Sequence, residues 1–295
     1  MRDMFFKELK TEMSRDANLF FLFADMGLGL VEPFQREFPD RVMNVGIAEQ
    51  NLVGIAAGLC NAGFRPVCYT ISNFLVERSF EQIRNDVCLH NYPVTLVGTS
   101  TGYDNGILGS THHVLDDIGC MKTLPGMNIY SPACVTSIKR VFREVMDARM
   151  PAYIRIGTGS LKWDHAGDSM NYMAVDGPTD APLIVTHGNI FENCVKAAGD
   201  GLFSVYCVNK VHPLDPQEWG RIFKDFPRIY VAEDHFRGSG LYNSLCQLLA
   251  ETPSVRVKLV PISPRNAYSS CIGDKNYFSD LYGLSAEKIA QTVLG

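Results

Sequence analysis

A glutamate at the head of an apolar helix is the first residue in this chain with chemistry to offer. Ile47, Leu52, Ile55, Ala56 and Leu59 recur at helical spacing, and Glu49 falls in the first turn of that stretch. A carboxylate there has two roles open to it. It complements the positive end of the helix dipole, or, in a dry pocket that raises its proton affinity, it exchanges a proton with a ligand. Two other groupings invite chemistry but read as structural. Glu233, Asp234 and His235 are consecutive at the end of a strand pattern. Neighbouring strand residues point to opposite faces, so the three cannot meet one ion, and an interface or loop role fits them better. Gly199-Asp200-Gly201 follows a short helix and precedes a strand, the signature of a helix C-cap and turn.

The elements that must position these residues alternate between strand and helix. Strand-like runs are Asn18 to Phe23, Arg65 to Ile71, Pro93 to Gly98, Met127 to Tyr130 and Pro151 to Arg155. Between them, Phe74 to His90 reads as one helix with Phe74, Phe80, Ile83 and Val87 on its buried face. Met1 to Arg15 mixes charged and apolar residues as an amphipathic first helix rather than a signal peptide. Gly157 to Pro182 loses periodicity and gathers Gly and Pro, as an interdomain linker does. A second series follows: strands at Leu183 to Thr186, Phe203 to Val208, Ile229 to Glu233 and Val255 to Val260, with helices at Ile190 to Ala198, Leu241 to Glu251 and Ser285 to Leu294. The fold class expected is α/β, two domains with mostly parallel sheets. The expected divisions are 1–160, a linker at 161–181, and 182–295.

The 295 residues exceed what one core usually organises. A net charge of -5 with no Lys/Arg cluster argues against a nucleic-acid or anionic-membrane surface. No apolar run approaches the roughly 20 residues of a membrane span. The nine cysteines form no CxxC pair and sit mostly in apolar patterns, which suits buried free thiols in a reducing cytoplasm.

The stretch DRVMNVGIAEQNLVGIAAGL, ending at Leu59, resembles a segment of transketolases and deoxyxylulose-phosphate synthases. The resemblance continues in order through Asn73 to Asp86, Gly106 to His113 and Leu124 to Met127, and covers essentially the whole chain. It implies a pyrimidine-binding domain followed by a transketolase C-terminal-like domain. It also implies the cofactor thiamine diphosphate with Mg2+, and places Glu49 against the cofactor's aminopyrimidine, where it drives the tautomer change that activates it. Phe74 would stack on that ring, with Asp25, Met26 and Ile71 lining the cofactor. His112 would lie in the substrate channel as a catalytic and substrate-binding residue, and Arg155 would hold a substrate phosphate. The implied reaction transfers a two-carbon ketol unit from a ketose, phosphorylated or free, to an aldehyde. The alternatives on this scaffold are a keto-acid-decarboxylating carboligase, a β-type subunit of a 2-oxo-acid dehydrogenase, and a non-catalytic structural subunit.

Three positions depart from the resemblance. Ser100 stands where a sugar-phosphate transketolase has His, Leu108 where it has Asp, and Gly29 where it has Ser. Loss of these polar anchors implies an altered substrate. The family's diphosphate-binding segment, a Gly-Asp-Gly followed by an Asn, has no counterpart, since Gly199-Asp200-Gly201 is the only such triplet. The expectation is therefore a split enzyme. A separate N-terminal-half subunit would carry the diphosphate and metal, and the two would assemble as an (αβ)2 heterotetramer.

Overall fold

Leu19–Phe23, here β1, is buried at every position. Phe20 and Leu22 pack into one apolar cluster, while Leu19, Phe21 and Phe23 pack into another. A strand covered on both faces has no solvent side, which is why its sequence is a continuous apolar run. The computed structural model describes residues 1–164, 169–252 and 255–295. Around β1 the chain runs through α1 (Arg2–Arg15), α2 (Glu32–Glu37), β2 (Val42–Asn44), α3 (Glu49–Asn61) and β3 (Arg65–Ile71). Next come α4 (Phe80–Gln82), β4 (Thr95–Thr99), α5 (Asp117–Met121), β5 (Asn128–Tyr130), α6 (Val135–Ala148) and β6 (Ala152–Ile156).

The second half holds β7 (Tyr172–Val175), β8 (Leu183–Thr186), α7 (Phe191–Ala198), β9 (Ser204–Cys207), β10 (Lys210–His212) and α8 (Pro216–Asp225). It ends with β11 (Arg228–Ala232), α9 (Leu241–Ala250), β12 (Lys258–Ile262), α10 (Lys275–Leu281) and α11 (Ala286–Leu294). Two sheets result, ordered β10-β5-β6-β4-β3-β1-β2 and β12-β11-β8-β9-β7. Every pairing is parallel except those of the edge strands β10 and β7. The fold is therefore two α/β layers with mostly parallel sheets. Among the described residues no helix is long and apolar enough to cross a membrane.

Several expectations need correction. The linker expected at 161–181 contains β7, which closes the edge of the second sheet against β9; residues 165–168 of that segment lie outside the described residues. The strand β10 comes from the second half of the chain yet pairs with β5 in the first sheet, so the two units interlock. The helix α6 has Ile138, Val141, Phe142, Val145 and Met146 buried on one face, a helical period absent from the elements expected above. The stretch from Phe74 is helical but not one regular helix. Turns of π-helix at Phe74–Arg78 and Ile83–Cys88 flank α4. Leu75, Val76, Ile83 and Val87 are buried and Phe80 is half-buried against the same core, while Phe74 is half-buried and meets Arg78 and His112 instead.

Arg155 also departs from its expected role. It sits on β6, 1% exposed, and its Nε donates to Asp117 Oδ2 at 2.6 Å. Tyr153, two residues earlier and on the same face, donates its hydroxyl to the same oxygen at 2.7 Å. The remaining guanidinium nitrogens reach Ser131 Oγ and the Val114 carbonyl, both at 3.4 Å. A guanidinium so enclosed is not free to bind a substrate phosphate. It belongs instead to a buried polar seam between the two sheets. Ser131 Oγ bonds His187 Nδ1 at 2.9 Å, and His187 Nε2 reaches Glu233 Oε2 at 3.2 Å. Glu233 also accepts from the Leu241 and Tyr242 amides and so caps α9. The Glu233–Asp234–His235 run is thus fully interior, within this seam.

Burial alone would push the Asp117 carboxyl up, but the Arg155 charge beside it and the His235 ring, 3.5 Å from Oδ1, hold it well below the usual carboxylate range. A depressed value means this pair contributes stability at pH above about 4 that is lost as pH falls through the folded-state value. Asp117→Asn strands a buried guanidinium and is expected to cost about 3–5 kcal/mol in urea unfolding at pH 7. The gap from wild type should narrow as acid is added below about pH 4; a gap independent of pH would mean that no ionised pair is present.

Candidate active site

Starting at β1, the chain steps to β2 on one side and returns to β3 on the other, carried across by α3. That reversal opens a crevice at the carboxyl ends of β1 and β3, where parallel sheets bind ligands. Asp25 and Met26 follow β1, Asn44 to Ala48 follow β2, Ile71 ends β3, and Ser100 follows β4. All four strands are neighbours. Asp25 takes a left-handed turn at φ 43. Asn44 fixes that turn by accepting from the Asp25 amide at 3.0 Å and donating to Asp25 Oδ1 at 3.2 Å. The same Asn44 oxygen accepts from the Gly46 amide at 3.0 Å. Gly46, at φ 74, turns the chain into α3.

Glu49 opens α3 and is 4% exposed. Its Oε2 accepts from Arg78 Nη1 at 3.1 Å, the one hydrogen bond to this side chain among the described residues. The Arg78 guanidinium carbon lies 3.9 Å from the centroid of the Phe74 ring. Another neighbour of that ring is His112, edge-on at 5.3 Å and 75°. Glu49, Arg78, Phe74 and His112 therefore form one continuous row of contacts. The π-turn Phe74–Arg78 is what places the arginine over the ring four residues before it.

The loop bearing His112 is tied down from two directions. Asn73 donates to the Thr111 carbonyl at 2.7 Å, and Ser110 donates to the Ser269 carbonyl of the second unit. Thr111 Oγ1 sits 3.0 Å from His112 Nδ1. Beside this loop a cavity of roughly 470 Å3 is lined by Asn73, Glu77, Asp116, Phe236 and Tyr268, among others. Burial, and then the charges of Asp116 and Asp117, push the Glu77 carboxyl up to about 7. Around Glu49 itself a shallower opening of roughly 400 Å3 is lined by Ile47, Ala48, Gln50, Asn51 and Arg78.

The structure thus brings Glu49, Phe74 and His112 into one row and sets Asp25, Met26, Ile71 and Ser100 along the adjoining strand ends. Leu108 lies outside that row, 53% exposed on the turn Gly106–Leu108. Gly29 is exposed at φ 83, a backbone conformation a serine would strain, and its amide donates to Glu32 Oε1 at 3.1 Å. Two residues of the site were missed in the sequence, Arg78 and Asn44. Asn44 carried a weak signal, an Asn two residues before a glycine after an apolar pair. Arg78 carried none, since its importance lies in contacts with a residue 29 positions away.

The family model for the transketolase pyrimidine binding domain matches residues 1–162. A subunit of the apulose-4-phosphate transketolase of Actinobacillus succinogenes is 30% identical over 90% of this chain and 87% of its own length. A 6-deoxy-6-sulfo-D-fructose transketolase subunit of a Clostridium species is 26% identical over 99% of this chain and 92% of its own. Among solved structures, one described as a split gene transketolase, inactive beta4 tetramer, superposes with a TM-score of 0.87 at 24% identity, covering 99% of this chain and 96% of that one.

Glu77 gives the site a pH signature. An acid whose folded value is raised keeps its proton longer in the folded state, so stability declines as pH rises from about 4 to 7. Glu77→Gln is expected to stabilise the chain at pH 8 and to leave it nearly unchanged at about pH 4 or below. The gain should stay under about 1 kcal/mol, because one side of the residue faces water. Thermal melts at the two pH values read this directly, and an equal effect at both would count against the raised carboxyl.

Proposed function

Because this chain belongs to the transketolase family, we propose that it is the cofactor-activating subunit of a two-subunit thiamine-diphosphate enzyme that transfers a two-carbon ketol unit from a ketose to an aldehyde. On this reading residues 1–160 are the pyrimidine-binding domain and 182–295 the C-terminal-like domain. The observation that carries it is Glu49, a carboxylate 4% exposed at the head of α3 and one side chain away from an aromatic face. A group that needs a hydrogen bond to a ring nitrogen and a flat apolar face fits these residues. Glu49 would exchange the proton at that nitrogen, and Phe74 would stack on the ring, a contact worth about 0.5–1.5 kcal/mol beyond buried area. Thiamine diphosphate supplies a thiazolium carbon able to carry the two-carbon fragment, chemistry no side chain offers. Asp25, Met26 and Ile71 line the ring's surroundings, and His112 stands on the far side of Phe74, towards the substrate.

The diphosphate and its Mg2+ are assigned to a partner subunit. Gly199-Asp200-Gly201 supports this, because it forms the C-cap of α7, with Gly199 at φ 51, and the turn after it. So do the exposed apolar side chains that follow β1 and β2 and precede the His112 loop, Leu28 at 90%, Ile47 at 75%, Ile107 at 64% and Leu108 at 53%. Apolar side chains grouped around a functional crevice mark a surface that another chain covers. An (αβ)2 assembly would place each active site between the two kinds of chain. Leu108 offers a donor no hydrogen bond, and Ser100 offers only a hydroxyl. The relatives named for apulose-4-phosphate and for a sulfonated fructose suggest a donor outside the common pentose phosphates.

The test is reconstitution with the product of the neighbouring reading frame, followed by titration with thiamine diphosphate and magnesium and a screen of ketose donors. Glu49→Ala should lower turnover at least about a hundredfold, the scale of a lost proton-transfer group, with circular dichroism and partner binding intact. Wild-type turnover in that variant would sink the assignment. Leu108→Asp should shift preference towards hydroxylated ketoses by tenfold or more, on the order of 1.4 kcal/mol. An unchanged donor profile would remove that residue from the specificity argument.

A further inference from the structure

We propose that Arg78 gates the aminopyrimidine site by occupying it in the free chain. The inference rests on the cofactor reading above and adds a residue that reading does not need. The guanidinium makes two contacts at once, a hydrogen bond to Glu49 Oε2 at 3.1 Å and a stack on the Phe74 ring at 3.9 Å. These are the two contacts an aminopyrimidine needs from this chain, an N–H bonded to Glu49 and a flat face on Phe74. A planar, delocalised cation can mimic that pair of contacts, whereas an ammonium cannot. At 3.9 Å the guanidinium leaves no room for a second flat group between itself and the ring. His112 stands edge-on at 5.3 Å as another neighbour of Phe74, so the side reaching Glu49 is the side Arg78 holds.

The arrangement suits a part that moves. Arg78 is 48% exposed and Glu49 only 5% along its side chain, so the arginine can swing into water while the carboxylate stays. Each contact of the guanidinium is of a kind that contributes little when partly solvated. A ring that buries its full face can therefore displace it. Until then Arg78 keeps the interior charge of Glu49 paired and covers the aromatic face, so the empty site is stable and closed. Side-chain rotation at the end of the π-turn Phe74–Arg78 is enough for opening, with no change in the sheet.

The chain reconstituted with its partner subunit would be titrated with thiamine diphosphate and magnesium by calorimetry, and the association rate followed by stopped-flow fluorescence. Arg78→Ala is expected to bind the cofactor threefold to tenfold more tightly and to associate faster. Arg78→Lys keeps the charge but not the planar stack, and should fall between that variant and wild type. Equal or weaker binding by Arg78→Ala, alongside weaker binding by Glu49→Gln, would overturn the gate while leaving the cofactor reading in place. If the wild-type pair binds no cofactor, both fall together.

Discussion

A buried ion pair sets the terms for the rest of this molecule. Arg155 and Asp117 meet at 2.6 Å with side chains 1% and 0% exposed. Either charge alone in that interior would cost several kcal/mol. The pair is tolerable only if β6, α5, the Tyr153 hydroxyl and the Ser131 hydroxyl all arrive in register. Ser131 in turn holds His187, and His187 holds Glu233, whose carboxylate caps α9. The first sheet and the second are thereby joined through polar groups that have no good arrangement apart from each other. Gly102 shows how close the join is, because a side chain there would overlap the Asp234 carboxylate.

The second unit also holds the loop beside the crevice. The loop carrying His112 lies between the end of β4 and the start of α5, and its Ser110 is tied to the Ser269 carbonyl across the seam. The crevice itself follows from the reversal of strand order at β1. The turn at Asn44 and Gly46 delivers Glu49 to the mouth of α3, while the π-turn after β3 delivers Phe74 and Arg78 to meet it. Phe74 stays half-buried, while Leu75 and Val76 on the same turn are fully buried.

Apolar side chains near the strand ends are exposed in this chain, and the Glu49 carboxylate is held by an arginine. On the proposed reading both features are those of half a site. Exposed Ile47 lines the opening at Glu49, so a covering subunit would bury it and exclude water from the carboxylate in one step. Exclusion of water is what raises the proton affinity of a carboxylate, and so on the proposed reading the chemistry of Glu49 would depend on the second chain as much as on this one.

The alternation of apolar strands with helices, the division into two α/β units and the place of Glu49 at the head of α3 were legible in the sequence, because each is a matter of local period. Runs such as NLFFLF and PVTLVG read as strands, and the strands Leu19–Phe23 and Thr95–Thr99 within them are buried at every position. The motif from Asp40 to Leu59 carried the family with it. What only the tertiary structure decided were the pairings. An arginine in a strand looks the same whether it faces a phosphate or a buried aspartate 38 residues away, and the second is what Arg155 does. Arg78 reads as an ordinary surface charge until Glu49, 29 residues earlier, is set beside it. The strand β10 belongs to one unit by sequence and to the other by hydrogen bonds. Local period records which face of an element is buried; it does not record which distant residue waits there, and charges and aromatic faces take their function from that neighbour.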